Sequence, residues 1–400
     1  MNVLITDGDN RAALAITRSL GKKGHRIVVG EKTSPSLASV SRYCSEGWIY
    51  PDPMNHPNDF LDDLLRTVSK KGIDVLLPVT EITTALVTEN AGKLCGSCRL
   101  PFPDGNAFRI ASNKLEILRL AERLGVPVPL TRILQDKDVD GGAMAGISFP
   151  VVVKPYRSRV RTENGWRAMG VSYARDPEEL SVILRKKGTW EFPVLLQERI
   201  HGPGIGVFTC YQNGKMVALF GHRRLREKPP SGGVSVLRES VPVSPQTRAY
   251  TTKLLDHLKW HGVAMVEFKM DDRDGVPKLM EINGRFWGSL QLAIDAEVDF
   301  PEILIRIVNG ETVDPIFSYK EGVKTRWFWG DVDSLMMLLL KNRESLHLPK
   351  GHPGRMQAIF DFFRFSGKNL HYEIESWDDL RPSLHELSQR FRSGSPGHRR

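Results

Sequence analysis

The N-terminal part of the chain alternates between short apolar runs and amphipathic stretches. Short apolar runs are typical of buried strands, whereas apolar residues at three- and four-residue spacing predict helices. The pattern predicts strands at 2–6, 26–30 and 73–78 and helices at 11–20, 60–69 and 81–94. Strands that alternate with helices form parallel sheets, so we expect an α/β domain over residues 1–108. The proline-rich segment Pro101-Phe102-Pro103 is expected to mark the end of this domain.

The turn after the first predicted strand limits what this domain can bind. A Rossmann-like domain that binds a dinucleotide carries a glycine-rich fingerprint at that turn. Here the turn is Asp7-Gly8-Asp9-Asn10, with one glycine and two acids that would repel a pyrophosphate. We therefore expect a Rossmann-like domain without NAD chemistry.

The rest of the chain mixes helices and strands less regularly. The pattern predicts helices at 114–124 and 286–296, strands at 149–155 and 194–200, and a hairpin at 207–211 and 216–220. A buried helix is expected around Leu335–Leu340, and the basic tail 393–400 is expected to be disordered because it is rich in Ser, Gly, Pro and Arg.

A second predicted hairpin carries acids on one face. Two apolar runs, 263–270 and 276–285, flank the turn-forming cluster at 271–275. Folding them together puts Glu267 opposite Glu281, and Asn283 shares the face of Glu281 because side chains alternate along a strand. Two carboxylates and an amide oxygen suit Mg²⁺, a hard ion that takes its remaining ligands from water and phosphates. The alternative is that both acids are solvated on an exposed face.

Composition narrows the ligand class. Lys and Arg number 56 against 47 Asp and Glu, a net charge of +9, which favours acidic ligands. No nucleic-acid module is recognisable, so phosphate- or carboxylate-bearing small molecules are expected rather than nucleic acid. The N-terminus has no signal-peptide pattern and no apolar run approaches the roughly 18 residues of a membrane span, so we expect a cytoplasmic protein without membrane contact.

Glu281-Ile282-Asn283 followed by Gly284-Arg285-Phe286-Trp287-Gly288-Ser289 resembles the signature of the ATP-grasp superfamily. The resemblance implies a mixed α/β and α+β architecture, in which a Rossmann-like domain precedes a two-lobed ATP-grasp fold and a C-terminal extension. The corresponding domains are 1–108, 109–310 with lobes of about 109–192 and 193–310, 311–392 of unknown role, and the tail.

The resemblance also assigns roles by position. It implies ATP and Mg²⁺ as cofactors, with Mn²⁺ as an alternative ion. The metal ligands would be Glu267, Glu281 and Asn283, the nucleotide contacts Lys114, Lys154, Glu198, Ile200 and Arg223, and the catalytic cations Arg285 and Lys154.

Three of these assignments have structural alternatives. Glu198 could instead pair with Arg199 or another surface base, and Arg223 could belong to a charged strand edge. Arg285 would either steady the transferring phosphoryl group or form a salt bridge with Glu281.

The chain departs from the family pattern at two places. The segment 156–170 carries four arginines where a glycine-rich phosphate flap is usual, so it either clamps phosphate or substrate or is a mobile, solvated basic loop. The acid that usually contacts the ribose is missing from 204–207.

The resemblance implies a carboxylate–amine ligase of the carbamoyl-phosphate-synthase-like branch. ATP would phosphorylate a small carboxylate, and an amine would displace phosphate from the acyl phosphate to leave an amide. Two alternatives remain, a carboxylase of the same fold that phosphorylates bicarbonate and a nucleotide-binding regulator without turnover.

Overall fold

The computed structural model describes residues 1–135, 148–162, 165–185, 193–343, 345–346, 348, 352–364, 367 and 369–392, so the expected tail lies outside the described residues. The strands are β1 Asn2–Ile5, β2 Arg26–Glu31, β3 Glu46–Ile49, β4 Val75–Leu77, β5 Thr131–Leu134, β6 Val151–Pro155, β7 Arg159–Thr162, β8 Gly165–Ala168, β9 Ser172–Ala174, β10 Val194–Glu198, β11 Gly204–Gln212, β12 Lys215–Lys228, β13 Val234–Ser240, β14 Gly262–Met270, β15 Pro277–Asn283, β16 Lys324–Arg326 and β17 Leu370–Tyr372. The helices are α1 Arg11–Lys22, α2 Pro57–Lys70, α3 Glu81–Glu89, α4 Ala91–Leu94, α5 Gly105–Ser112, α6 Lys114–Arg123, α7 Pro177–Arg185, α8 Pro245–His257, α9 Leu290–Asp295, α10 Phe300–Val308, α11 Phe328–Leu340, α12 Arg355–Phe362 and α13 Arg381–Arg392.

The N-terminal unit is a parallel sheet with the strand order β3-β2-β1-β4. Its first helix begins where the Asn10 side chain accepts a hydrogen bond from Ala12 N, 2.9 Å away, which satisfies a backbone donor that the helix leaves open. The α/β architecture expected from the apolar pattern is confirmed.

Two predicted helices differ in their bounds. The segment 81–94 forms two helices because Asn90 leaves helical geometry and its side-chain amide caps the carbonyl of Leu86 at 3.0 Å. The segment 286–296 is helical only from Leu290, since the preceding residues form the loop that carries the signature motif.

Two further sheets follow the N-terminal unit. The smaller has the order β5-β10-β6-β9, and the larger has the order β15-β14-β11-β12-β13-β16-β17. Strands β16 and β17 come from the predicted C-terminal extension, so this segment completes the larger sheet.

A continuous apolar core joins the N-terminal unit to the larger sheet. Val3 and Ile5 of β1 belong to the same buried cluster as Phe208 of β11, Phe220 of β12 and Trp287 of the signature loop. Burying these side chains together stabilises the contact between the two units, which fixes the loop after β15 against the N-terminal unit.

None of the helices in the described ranges is long and apolar enough to span a membrane.

A buried ion pair attaches the C-terminal segment to the N-terminal unit. The Arg18 guanidinium lies 2.9 Å from Asp379, and both side chains are almost fully buried. The Asp379 carboxylate also accepts hydrogen bonds from the Ser41 hydroxyl at 2.6 Å and from Arg42 N at 3.0 Å. All three groups are donors, so the negative charge of Asp379 satisfies the whole cluster.

We expect Asp379→Asn to lower the free energy of unfolding by about 3 kcal/mol, because it leaves the Arg18 charge buried without a counter-ion. Urea denaturation of the full chain measures the change. The adjacent Asp378 is the matched control, since it pairs with Lys22 at the surface, where the loss should stay below about 1 kcal/mol. Equal effects of the two substitutions would contradict the prediction.

Candidate active site

The predicted acidic hairpin is formed by β14 and β15. In its register Glu267 lies opposite Glu281, and Met265 lies opposite Asn283. The Asn283 side-chain amide donates a hydrogen bond to Glu281 Oε1 at 2.9 Å, so these two side chains share a face as alternation requires. A register shift after Glu267 pairs Phe268 with Leu279, a bulge that increases the local twist beside the acids.

Lys114 closes one side of the acidic pair. Its helix α6 begins at the Asn113 cap, and Lys114 N donates to the carbonyl of Tyr156 at 2.8 Å, which fixes the helix start against the segment after β6. The Lys114 ammonium lies 3.3 Å from Glu281 Oε2 and donates to the Ser158 hydroxyl at 2.9 Å. The structure thus brings Lys114 and Glu281 together.

Lys154 is a second, partly buried cation. It lies on β6, and its ammonium donates to Gln197 Oε1 on β10 at 2.6 Å. Burial lowers the pKa of Lys154 to about 8, and the charge of Lys114 adds to this effect while Glu281 opposes it. A lysine whose charge is so poorly compensated inside the protein is well suited to bind an anion such as a phosphate.

The two carboxylates differ in their surroundings. Burial raises the pKa of Glu281, but the charges of Lys114 and Lys154 and the hydrogen bond from Asn283 outweigh it and hold this pKa below its ordinary value. Burial also raises the pKa of Glu267, and here the Arg224 guanidinium only partly offsets it. Glu281 is therefore the carboxylate that is held ionised for a cation.

Arg224, which sequence reasoning missed, contacts the acidic pair where the predicted Arg223 does not. An Arg224 guanidinium nitrogen lies 2.6 Å from Glu267 Oε1. Arg223 instead pairs with Glu239 on the adjacent strand at 2.7 Å, and its side chain is about half exposed. This fits the alternative interpretation of Arg223 as part of a charged strand edge. The period-two alternation of β12 could have separated the two arginines, had the strand been predicted to continue beyond Phe220.

Arg285 lies just beyond the acids, in the loop after β15. Its guanidinium donates to Asn283 Oδ1 at 3.2 Å and to the carbonyl of Phe286 at 2.8 Å. Neither contact is an ion pair, and within the described ranges Arg285 forms no salt bridge with Glu281. The guanidinium therefore keeps its charge available to a ligand.

Lys114, Glu281, Asn283 and Arg285 line one cleft between the larger sheet and the N-terminal unit. The side chains that line it come from α3, α5, α6, the segment after β6 and the end of β15; among them are Glu81, Lys114, Ser158, Glu281, Asn283 and Arg285. Cations and carboxylates from distant parts of the chain thus meet in one concave site, which is the usual form of a small-molecule site.

The predicted adenine contacts lie at the end of β10. The Glu198 carboxylate accepts hydrogen bonds from Leu130 N and from the Arg273 guanidinium, both at 2.8 Å. The Ile200 carbonyl accepts a hydrogen bond from the Lys269 ammonium at 3.3 Å. Glu198 thus pairs with a surface base, Arg273, as the structural alternative to adenine binding expects. The adenine contact stays a prediction.

The arginine-rich segment forms the hairpin of β7 and β8, of which residues 163–164 lie outside the described ranges. Trp166 N donates to the carbonyl of Met54 at 2.7 Å, and Arg161 lies 3.3 Å from Glu89. Gly165 has a φ of +132°, and a Cβ there would lie 2.2 Å from the Met54 carbonyl oxygen. The hairpin therefore packs against the N-terminal unit.

A smaller sheet that carries Lys154, a larger sheet that carries the acidic hairpin, and Lys114 at the start of α6 together correspond to an ATP-grasp fold. A family model described as ATP-grasp in the biosynthetic pathway with Ter operon matches residues 191–329. Residues 191–329 thus match an ATP-grasp family, and the chain has the fold of ATP-grasp proteins.

One curated relative and two solved structures show what the chain is similar to. The D-aspartate ligase of Enterococcus faecium (strain Aus0004) is 24% identical over 250 residues, which cover 56% of this chain and 58% of that ligase, less than two thirds of its length. The L-amino acid ligase of Bacillus licheniformis is 17% identical with a TM-score of 0.61, over 78% of this chain and 77% of that chain. The biotin carboxylase domain of Hydrogenobacter thermophilus 2-oxoglutarate carboxylase, crystallised with MgADP, ADP and bicarbonate, is 16% identical with a TM-score of 0.60, over 81% of this chain and 73% of that chain.

Proposed function

We propose that this protein is an ATP-dependent carboxylate–amine ligase that forms an amide through an acyl phosphate. The observation that supports the proposal most strongly is the meeting of Lys114, Glu281, Asn283 and Arg285 in one cleft. The D-aspartate ligase and the L-amino acid ligase to which the chain is similar support small carboxylate and amine substrates.

The acidic face fits a magnesium ion. It offers carboxylate oxygens from Glu267 and Glu281 and the amide oxygen of Asn283, which is the donor chemistry that Mg²⁺ prefers. Within the described residues no three His, Cys, Asp or Glu side chains are grouped to hold a metal by themselves, so phosphates and waters would supply the other ligands. Magnesium bound here would neutralise charge on the β- and γ-phosphates.

The remaining residues would bind and orient the reacting groups. Lys114 and Lys154 would hold the phosphates of ATP, since both ammonium groups lie in buried surroundings beside the acids. Arg285 would stabilise the negative charge of the phosphoryl group as it passes to the substrate carboxylate. This mechanism needs no covalent enzyme nucleophile, because the acyl phosphate is itself the activated intermediate.

The proposal is tested by measuring ADP release from Mg·ATP against pools of amino acids, small carboxylates, amines and bicarbonate. Release that requires a carboxylate together with an amine would support the ligase. Release with bicarbonate alone would identify the carboxylase alternative, to which the biotin carboxylase neighbour corresponds in fold. Tight ATP binding without ADP from any pool would identify the regulator.

The lowered pKa of Lys154 predicts that ATP binding is linked to protonation. Because the pKa of Lys154 is about 8 in the free protein, part of the population is uncharged above that pH. Phosphates placed beside the ammonium raise this pKa, so binding should take up a proton at about pH 8.5 and almost none at about pH 7. Affinity should accordingly fall as the pH rises above 8.

Calorimetric titration in two buffers of different ionisation enthalpy measures the proton uptake. Lys154→Arg is the matched variant, since arginine keeps its charge throughout this range. Uptake that persists unchanged in Lys154→Arg would contradict the assignment to Lys154.

A further inference from the structure

Glu81 is a carboxylate in the cleft that the mechanism above does not use. It is the first residue of α3, directly after Thr80, whose hydroxyl caps the helix by accepting from Thr83 N. The cap fixes the helix start, and the Glu81 side chain lines the same cleft as Glu281 and Arg285. The N-terminal unit thus contributes an acid to a site that α5, α6, the segment after β6 and the end of β15 otherwise form.

The Glu81 carboxylate has no hydrogen bond or ion pair with any residue in the described parts of the chain. The acids of the metal face differ in this respect, because Lys114 pairs with Glu281 and Arg224 pairs with Glu267. The charged groups that face Glu81 are Arg285 from the loop after β15, Lys114 from α6, Arg159 from β7 and Glu281 from β15. Burial raises the pKa of Glu81 even though three of these neighbours are cations.

A helix N-terminus tolerates an acid, so the position of Glu81 at the start of α3 has a structural explanation. That explanation does not account for its place in a cleft where a phosphoryl group would pass beside Arg285. None of the three protein cations that face Glu81 pairs with it in the described ranges, so its carboxylate is open to a cationic ligand, which would also shield the γ-phosphate and the acyl phosphate from its charge.

Two kinds of cation take part in the reaction of a carboxylate–amine ligase. One is the metal, for which Glu267, Glu281 and Asn283 already provide a face on the hairpin. The other is the amine, which at neutral pH arrives as an ammonium ion. On the basis of the proposed function, we propose that Glu81 binds the ammonium group of the amine substrate and accepts its proton during attack.

The step balances without a further reactant. One proton passes from the ammonium nitrogen to Glu81, and the lone pair that it leaves forms the C–N bond at the acyl carbon. The C–O bond to phosphorus-bound oxygen breaks, and inorganic phosphate leaves with that electron pair. The second nitrogen proton is lost from the addition intermediate to the departing phosphate, so the products are a neutral amide and phosphate.

The test separates phosphorylation of the carboxylate from attack by the amine. With the pooled carboxylates, hydroxylamine traps an acyl phosphate as a hydroxamate, and because hydroxylamine is uncharged at neutral pH it needs no ammonium site. Glu81→Gln should form hydroxamate and ADP at rates close to the unsubstituted protein. Its amide formation with the pooled amines should fall about 100-fold or more, the usual loss when a general base is removed.

Two further variants complete the experiment. Glu81→Asp keeps the carboxylate on a shorter side chain and should recover part of the lost amide formation, which a packing role would not predict. Glu122→Gln makes the same change on the exposed face of α6 and should leave both reactions unchanged.

Each outcome decides between the proposals. Loss of hydroxamate and amide in equal proportion in Glu81→Gln, or loss of neither, would overturn the role of Glu81 while the ligase stands. Absence of ADP and hydroxamate from the unsubstituted protein with every pool would overturn the ligase and, with it, the role of Glu81.

Discussion

Replacing Glu281 with glutamine should lower the rate of ADP formation about 10³-fold while leaving the protein folded. The substitution keeps the size and the hydrogen-bonding capacity of the side chain but removes its charge from the proposed metal face. Charge stabilisation by a bound metal is worth several kcal/mol, and each 1.4 kcal/mol corresponds to about a tenfold change in rate. Glu281 should contribute most of the negative charge at the metal face, because it lies between Lys114 and Asn283 and its pKa is lowered.

A matched control comes from the same hairpin. Asp274 lies at the exposed turn between β14 and β15, where it pairs with Lys278 at 2.8 Å. Asp274→Asn is the same acid-to-amide change outside the cleft, so ADP formation should stay within about twofold of the unsubstituted rate. Titration with Mg²⁺ adds a second readout, because a lost ligand raises the Mg²⁺ concentration needed for half-maximal activity. Unchanged activity and unchanged Mg²⁺ dependence in Glu281→Gln would exclude the metal face.

The acidic hairpin could be predicted from sequence because its determinants are local. A turn cluster between two apolar runs fixes which strands pair, and alternation fixes which side chains share a face. Alternation alone predicts that Glu281 and Asn283 share a face. Folding the hairpin at its turn predicts that Glu267 lies opposite Glu281. The register shift beside Phe268 could not be read in this way, since a bulge depends on how the strand twists within the sheet.

The residues that sequence reasoning missed depend on contacts between distant parts of the chain. Arg224 reaches Glu267 because β12 and β14 flank β11, and only the sheet order shows which of two adjacent arginines faces the acids. Glu81 lies about two hundred residues before the signature motif, in a different unit. No spacing rule connects it to Arg285, and only the packing of the N-terminal unit on the larger sheet brings them to one cleft.

The C-terminal segment was harder to predict for a related reason. Its strands β16 and β17 are short, so alternation has too few positions to be recognised. Strand β16 forms on the open edge of β13 and strand β17 forms on β16, a stabilisation that arises only in the folded sheet. The buried pair of Arg18 and Asp379 likewise joins the two ends of the chain.

Replacing Arg285 with lysine should lower the turnover number about 100-fold and leave the KM for ATP nearly unchanged. Lysine keeps the positive charge but loses the planar fork that donates to Asn283 Oδ1 and the Phe286 carbonyl, so the charge is no longer held at a fixed place. A donor that is misplaced relative to the developing charge typically costs 10²–10³ in turnover number, or about 3–4 kcal/mol. ATP binding depends on the two lysines in this proposal, which is why the KM should be spared.

Arg306→Lys is the control for the same change of side chain, because Arg306 lies on α10 and pairs with the exposed Glu311 at 2.9 Å. Steady-state kinetics with saturating carboxylate and amine give the turnover number and the KM for ATP separately. A rise in the KM with an unchanged turnover number would show that Arg285 binds ATP equally well in the ground state and the transition state, and would contradict the assigned role. A fall in the turnover number that is matched by Arg306→Lys would trace the loss to general stability, since Arg306 lies outside the cleft.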